Sequence, residues 1–174
     1  MTTVALIPAR GGSKGIPRKN LVPVGGRPLL VHSIAQARRA AGIDRVFVST
    51  EDPEIAAVAR EAGAEIVERP LALAGDTAST ESAITHALGQ WAAQGLVPDR
   101  VVLLQATSPF RADGQLDAAL ATFDRTGCDS PSAPRRHTKP TKRTTDSRLS
   151  QPATYEPTRR PRRQEIEDTF LETG

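Results

Sequence analysis

Between Thr2 and Phe123, short runs of branched apolar residues alternate with longer stretches in which apolar positions recur every three or four residues. The runs predict strands and the stretches predict helices, which together predict an α/β fold with a mostly parallel sheet. Val4-Ala5-Leu6-Ile7 is apolar at every position, as expected of a strand covered on both faces. Pro28 and Gly42 bracket a helix whose inner positions are Leu30, Ile34, Ala37 and Ala41. Arg45 to Ser49 reads as the second strand. Asp52 then offers an N-cap with Pro53 at the first helical position, and Ile55, Val58, Ala59 and Ala62 make one apolar face before Gly63 stops the helix. A strand over Glu65 to Glu68 follows.

A second group starts at Ser79, another N-cap, with Ile84, Leu88 and Trp91 on one helical face. Val101 to Leu104 is a further apolar strand, and Asp113 is expected to cap a helix that buries Leu116, Leu120 and Phe123 and ends near Gly127. Beyond that point Pro131, Pro134, Pro140, Pro152, Pro157 and Pro161 interrupt every helical pattern, and apolar residues are too few for a separate core. The expected organisation is therefore an α/β domain over residues 1–127 and an irregular, basic, Pro-rich arm over 128–174.

Charge sharpens that division. Residues 1–125 hold 13 basic and 13 acidic side chains, whereas residues 126–164 hold 10 basic against 3 acidic, so the net charge of +3 comes from the arm. Such a segment suits a solvated arm, a surface for anionic small molecules or a nucleic-acid tail. The tail ranks last because no aromatics are interleaved. The single cysteine, Cys128, excludes an internal disulfide framework, and the opening residues are too short an apolar run for a signal segment or a membrane span. The expectation is a cytoplasmic chain with no membrane and no nucleic-acid partner. His32, His86 and His137 have no neighbours at metal-ligand spacing and are read as structural.

The candidate chemistry lies directly after the first strand. From Arg10 to Lys19, three glycines and four cations (Arg10, Lys14, Arg18 and Lys19) fall within ten residues. Glycines let backbone N–H groups approach an anion closely, and the cations supply countercharge, Arg as a fork and Lys as a point charge. The pattern is neither a Walker loop nor a G-x-G-x-x-G fingerprint. By composition it is a polyphosphate cradle or, more plainly, an exposed basic turn.

The run P-A-R-G-G-S-K-G-I-P-R-K-N-L, from Pro8 to Leu21, resembles the signature of the cytidylyltransferases that make CMP-sialic acid and related CMP-nonulosonates. Val48-Ser49-Thr50-Glu51, Arg69-Pro70, Asp76-Thr77-Ala78-Ser79 and the segment from Leu103 to Arg111 resemble later motifs of that family in its order. Arg162-Arg163-Gln164 and Glu172-Thr173-Gly174 resemble a final pair more thinly. The resemblance implies a Rossmann-like nucleotidyltransferase fold and a reaction in which the anomeric hydroxyl of an acidic nine-carbon 2-keto sugar attacks the α-phosphorus of CTP.

Carried over residue by residue, the resemblance implies that Arg10 and Lys19 act on the triphosphate as catalytic groups. Ser13 and Lys14 hold it, and Asn20, Arg69 and Ser79 belong to the region that reads cytosine and ribose. Gln105 addresses the acyl-sugar, although a plain strand-end polar residue is the alternative. The arm becomes a segment exchanged within a homodimer, with Lys142 and Arg162 brought to the sugar carboxylate; solvated charge is their alternative reading. Guanylyl or uridylyl transfer on a related fold stays open, but the K-N-L ending and the Q-x-T-S-P segment favour CTP.

The match departs from the family at three points. Glu51 stands where the family often has Asp, one methylene longer, which suits a group that only caps the following helix. Thr173 stands where many relatives have Asn. The family's Mg²⁺-binding Asp-x-Asp motif, with its final strand and closing helix, has no counterpart in these 174 residues. Asp76 is the one acid in a matching motif near the nucleotide, and no metal ligand is assigned. The expectation is a cytidylyltransferase represented by an incomplete chain; the alternative is a non-catalytic protein that binds nucleotide or dimerises. Sialic, legionaminic and pseudaminic acids are not distinguished.

Overall fold

The computed structural model describes residues 1–13, 15–75 and 78–126. Lys14, Asp76, Cys128, His137, Lys142, Arg162 and the whole expected arm, 128–174, lie outside the described residues.

The central strand is β1 (Thr3–Pro8), fully buried along Val4-Ala5-Leu6-Ile7. The chain then forms a short ribbon of β2 (Pro23–Val24) and β3 (Arg27–Pro28), followed by α1 (Leu29–Arg39), β4 (Arg45–Thr50), α2 (Pro53–Glu61) and β5 (Glu65–Glu68). The second group is α3 (Thr80–Ala93), β6 (Arg100–Leu103) and α4 (Gln115–Thr126). β4 and β6 flank β1, each in parallel, and β5 lies outside β4, giving the order β5-β4-β1-β6. The expected α/β architecture with a mostly parallel sheet is present.

Alternation along β1 divides the core between two faces. Ala5 and Ile7 pack with Leu30, Ile34 and Ala37 of α1, Ile55 and Ala59 of α2, and Leu116 and Leu120 of α4. Val4 and Leu6 face the other way, against Phe47, Val67 and the α3 residues Ala87 and Trp91. Trp91 is 1% exposed and stands 4.8 Å, centroid to centroid, from Phe47 in a tilted pair. Burial of one such side chain is worth about 1.5–3 kcal/mol.

Most helix signals act where they were read. Asp52 accepts from the backbone N–H groups of Glu54 and Ile55 at 2.9 and 3.0 Å, with Pro53 inside the first turn. Ser79 accepts from Ser82 N–H at 3.1 Å. Other expectations need correction. Asp113 does not cap α4: Gly114, at φ 72°, intervenes, the side chain of Gln115 receives Ala112 N–H, and Asp113 is almost wholly exposed. Leu88 is exposed while Ala83, Ala87 and Trp91 are buried, so the inward face of α3 runs through positions 83, 87 and 91. Ala41 is likewise exposed, and Ala40 takes its place. The β2–β3 ribbon was not anticipated; Gly25 and Gly26, at φ 57° and 79°, make its two-residue turn. His32 ties that ribbon to α1 through Val24 O at 2.7 Å, a structural role as expected. No helix among the described residues is long and apolar enough to cross a membrane.

Candidate active site

From β1 the chain moves outward to β4 and β5, then returns to lay β6 on the other side of β1. Connections leaving the carboxyl ends of β1 and β6 thus diverge, and the crevice between them is where open α/β sheets receive ligands. A cleft of about 310 Å³ lies there. The loop after β1 supplies Pro8, Arg10, Gly12, Ser13, Lys19 and Asn20; the start of α3 supplies Ala78, Ser79 and Thr80; and the exit of β6 supplies Gln105, Ala106 and Thr107. Arg69 arrives from the end of β5. Seven of the ten site residues expected from the sequence therefore share one cleft, and the other three, Lys14, Lys142 and Arg162, lie outside the described residues.

Backbone and side-chain bonds fix the loop. Ala9 N–H donates to Ser49 O at 2.9 Å, continuing the β1–β4 pairing beyond the strand. Gly11 N–H donates to Glu51 Oε1 at 2.7 Å, and the Asn20 amide donates to Arg10 O at 3.0 Å, joining the two ends of the loop. Arg10 itself donates to Gly75 O at 3.1 Å. A Cβ on Gly11 would fall 2.4 Å from Asp52 Oδ2, so only glycine fits where the loop crosses the β4–α2 junction. Gly12 and Gly15 have open space instead.

One acidic residue and one cation behave differently from expectation, whereas Asp52 caps α2 as read. Glu51 does not cap α2; Asp52 does, and the Glu51 carboxylate turns back to the loop. Arg18, counted with the phosphate ligands, does not line the cleft. Its backbone is left-handed at φ 50°, and its guanidinium forks onto Asp52 at 3.0 Å in both bonds and onto Glu54 at 2.5 Å. Its donation to the Asp52 carboxylate holds Arg18 above its ordinary pKa. Partial burial pushes the Asp52 carboxyl up, but Arg18 and the N–H groups of Ile55 and Glu54 outweigh it and leave that pKa lowered.

Arg69 is buried, donating through Nε to Ser49 Oγ at 3.1 Å and through a terminal nitrogen to Ser49 O. Burial pushes its pKa down, the Glu51 charge opposes that shift and Arg10 adds to it. As a guanidinium it stays charged. At the opposite wall, Gln105 exposes its side chain while its carbonyl accepts from Ser33 Oγ and Arg111, both at 3.3 Å. Arg111 also donates to Gln36 Oε1 at 2.6 Å, and Gln36 donates to Pro109 O at 2.7 Å. Burial lowers the Arg111 pKa. This anchorage of the β6 exit loop on α1 was missed from the sequence: Arg111 sat in a recognised segment, but nothing local tied it to Ser33 or Gln36, more than 70 positions earlier.

Chemically, the cleft offers three cations, the capped N-terminus of α3, two serine hydroxyls and two amides, a set suited to an anionic ligand that also carries a polar ring. Among the described residues no three His, Cys, Asp or Glu side chains gather closely enough to hold a metal ion. The described lining of the cleft also holds no carboxylate, so the Mg²⁺ implied by the family resemblance finds no side-chain ligand among those residues, and no step is routed through it.

Residues 4–157 match the family model described as Cytidylyltransferase. The chain is 37% identical over 124 residues to a pseudaminic acid cytidylyltransferase of Campylobacter jejuni, covering 71% of this chain and 53% of that protein. It is 39% identical over 120 residues to an N-acylneuraminate cytidylyltransferase of Escherichia coli, covering 69% of this chain and 28% of the relative. The chain thus spans about half, or less, of the length of these relatives. The solved structure of a CMP:2-keto-3-deoxy-manno-octonic acid synthetase complexed with CTP is similar with a TM-score of 0.62 and 23% identity, over 73% of this chain and 49% of that one, a likeness of fold.

Proposed function

This chain belongs to the cytidylyltransferase family, and we propose that it serves to transfer CMP from CTP to the anomeric hydroxyl of a nonulosonic acid, releasing pyrophosphate. The observation that carries this reading is the convergence of Arg10, Lys19 and Arg69 with Ser13, Asn20, Ser79 and Gln105 around one cleft at the switch point of the sheet. In the reaction the sugar oxygen forms a bond to the α-phosphorus, the α–β bridging P–O bond breaks, pyrophosphate leaves and the hydroxyl proton is lost. Such a displacement needs chiefly alignment and charge neutralisation.

Arg10 and Lys19 act on the triphosphate, with Ser13 and Lys14 beside them. Asn20, Arg69 and the α3 N-terminus at Ser79 form the nucleoside side, and Gln105 faces the sugar. Lys142 and Arg162 belong to the arm of 128–174, which meets the sugar carboxylate across a homodimer; removing that arm is expected to give a monomer in light scattering, and an unchanged dimer sinks the assignment. Mg²⁺, whose carboxylate ligands the described cleft lining does not supply, and a cytoplasmic setting complete the reading.

Calorimetric titration of the chain with CTP, GTP and UTP, followed by pyrophosphate release with CTP, Mg²⁺ and a panel of nonulosonic acids, tests it. Selective CTP binding with turnover supports the transferase. Saturable CTP binding without turnover supports a non-catalytic nucleotide-binding protein, and preference for GTP or UTP supports transfer of another nucleotide.

A further inference from the structure

The junction between β4 and α2 contributes no residue to the cleft lining, yet it grips the phosphate loop at both ends. At the leading end, Glu51 Oε1 accepts from Gly11 N–H at 2.7 Å. At the trailing end, Asp52 receives both arms of the Arg18 fork at 3.0 Å, where the backbone turns left-handed. Between these points the loop carries Gly12 and Ser13 to the cleft, and Lys19 follows directly. A Cβ at position 11 would meet Asp52 Oδ2 at 2.4 Å, so the loop lies close against this junction.

We infer that Glu51 is a positioning residue for nucleotide binding: with Asp52 it makes an acidic seat that sets the backbone of the loop, and hence the placement of Ser13 and Lys19. The inference rests on the CTP-binding reading proposed above. A carboxylate whose charge acts on Arg69 is, by charge alone, unfavourable to a polyphosphate, because it reduces the positive potential of the site. The geometry gives it a compensating task. A charge-assisted bond holds the Gly11 N–H more firmly than a neutral one, and an unfixed Gly-rich segment regains the conformational entropy that ligand binding must then remove.

Two roles for Glu51 therefore predict opposite signs. As a positioning residue, Glu51→Ala weakens CTP binding on the order of tenfold, the fold-change equivalent to ~1.4 kcal/mol. If Glu51 is a mere counter-ion to Arg69, the same substitution strengthens it. Glu51→Gln keeps an acceptor for Gly11 and loses the charge, so binding in this variant is expected to recover to within about threefold of the parent, or ~0.7 kcal/mol. Asp52→Ser retains an N-cap for α2 while removing the fork on Arg18, and is expected to weaken CTP binding by several-fold with the helix intact by circular dichroism.

The experiment pairs calorimetric titration of the whole chain with CTP and amide hydrogen exchange at Gly11 without nucleotide. The expected result is a protected Gly11 amide in the parent and in Glu51→Gln, an unprotected one in Glu51→Ala, and affinities in the order just given. Parent-like exchange at Gly11 in Glu51→Ala, or unchanged or tighter CTP binding in that variant, overturns the inference. A parent chain that fails to bind CTP overturns the transferase reading instead, and the exchange measurement alone then decides whether Glu51 sets the loop.

Discussion

At the amino end of the sheet, cations meet carboxylates one to one. Arg45, the first residue of β4, forks onto Glu65, the first residue of β5, at 2.8 and 2.5 Å and lies over the Phe47 ring at 4.8 Å. Arg100, the first residue of β6, forks onto Asp124 of α4 and lies 5.3 Å over Phe123. Asp44 receives Thr3 N–H at 2.7 Å, and Asp99 receives Thr2 N–H. At the carboxyl end, by contrast, Arg10, Lys19 and Arg69 border one cleft whose described lining holds no carboxylate. Charge at the first edge pairs across neighbouring elements, whereas at the second edge three cations border one cleft, Arg10 and Arg69 while bonded to Gly75 and Ser49. Exposed pairs of the first kind contribute little to stability, about 0–1 kcal/mol, whereas converging cations are worth most when a polyanion arrives.

The largest effect that tests this contrast is expected from Lys19→Ala. Pyrophosphate release in a turnover-competent enzyme should fall on the order of 10²–10³-fold, the cost of removing one transition-state charge donor, while the melting temperature scarcely moves. Parent-like rates contradict the assignment of Lys19. Next is Gly11→Ala, whose added Cβ must displace the loop from Asp52. Overpacking of about 1–3 kcal/mol is expected to weaken CTP binding by roughly tenfold. Gly15→Ala, with open space around it and no part in the cleft lining, should stay within a few-fold of the parent by calorimetry.

The third effect is pH-dependent. Asp52 has a folded pKa below its unfolded value, so its contribution is present above about pH 3.9 and is lost as pH falls through the folded value. Asp52→Asn is therefore expected to flatten the acid limb of urea stability below pH 4; a limb as steep as the parent's refutes that source. The smallest effect belongs to the amino edge. Glu65→Gln should cost under about 1 kcal/mol in urea denaturation and leave CTP affinity unchanged. A change in affinity there ends the distinction between the two edges.

Much of the scaffold was legible because its signals are short-range. The apolar run of β1, the caps Asp52 and Ser79, and the strand at Glu65–Glu68 follow from residues within one turn or one strand of each other. Where local signals competed, the reading failed. Asp113 looked like a cap, but the backbone at Gly114 and the side chain of Gln115 took that place. Leu88 looked buried by period, yet α3 turns Ala83, Ala87 and Trp91 inward and leaves Leu88 in solvent. In the site, the residues that meet in the cleft were legible from the recognised motifs, whereas the grip of Ser33, Gln36 and Arg111 on the β6 exit loop was not.

The basic loop after β1 shows where each source of information stops. The sequence determined that a Gly-rich, cation-rich turn leaves a buried strand, since glycine content and charge are properties of adjacent residues. It did not determine which cations reach a ligand. Tertiary structure decided that Arg18 turns to Asp52, 34 positions away, and that Glu51 turns back to Gly11 across 40 positions. It also decided that Arg69 comes to the cleft held by Ser49. An ion's partner is set by distance in space at a few ångströms, and that distance exists only once parallel strands have brought their carboxyl ends together.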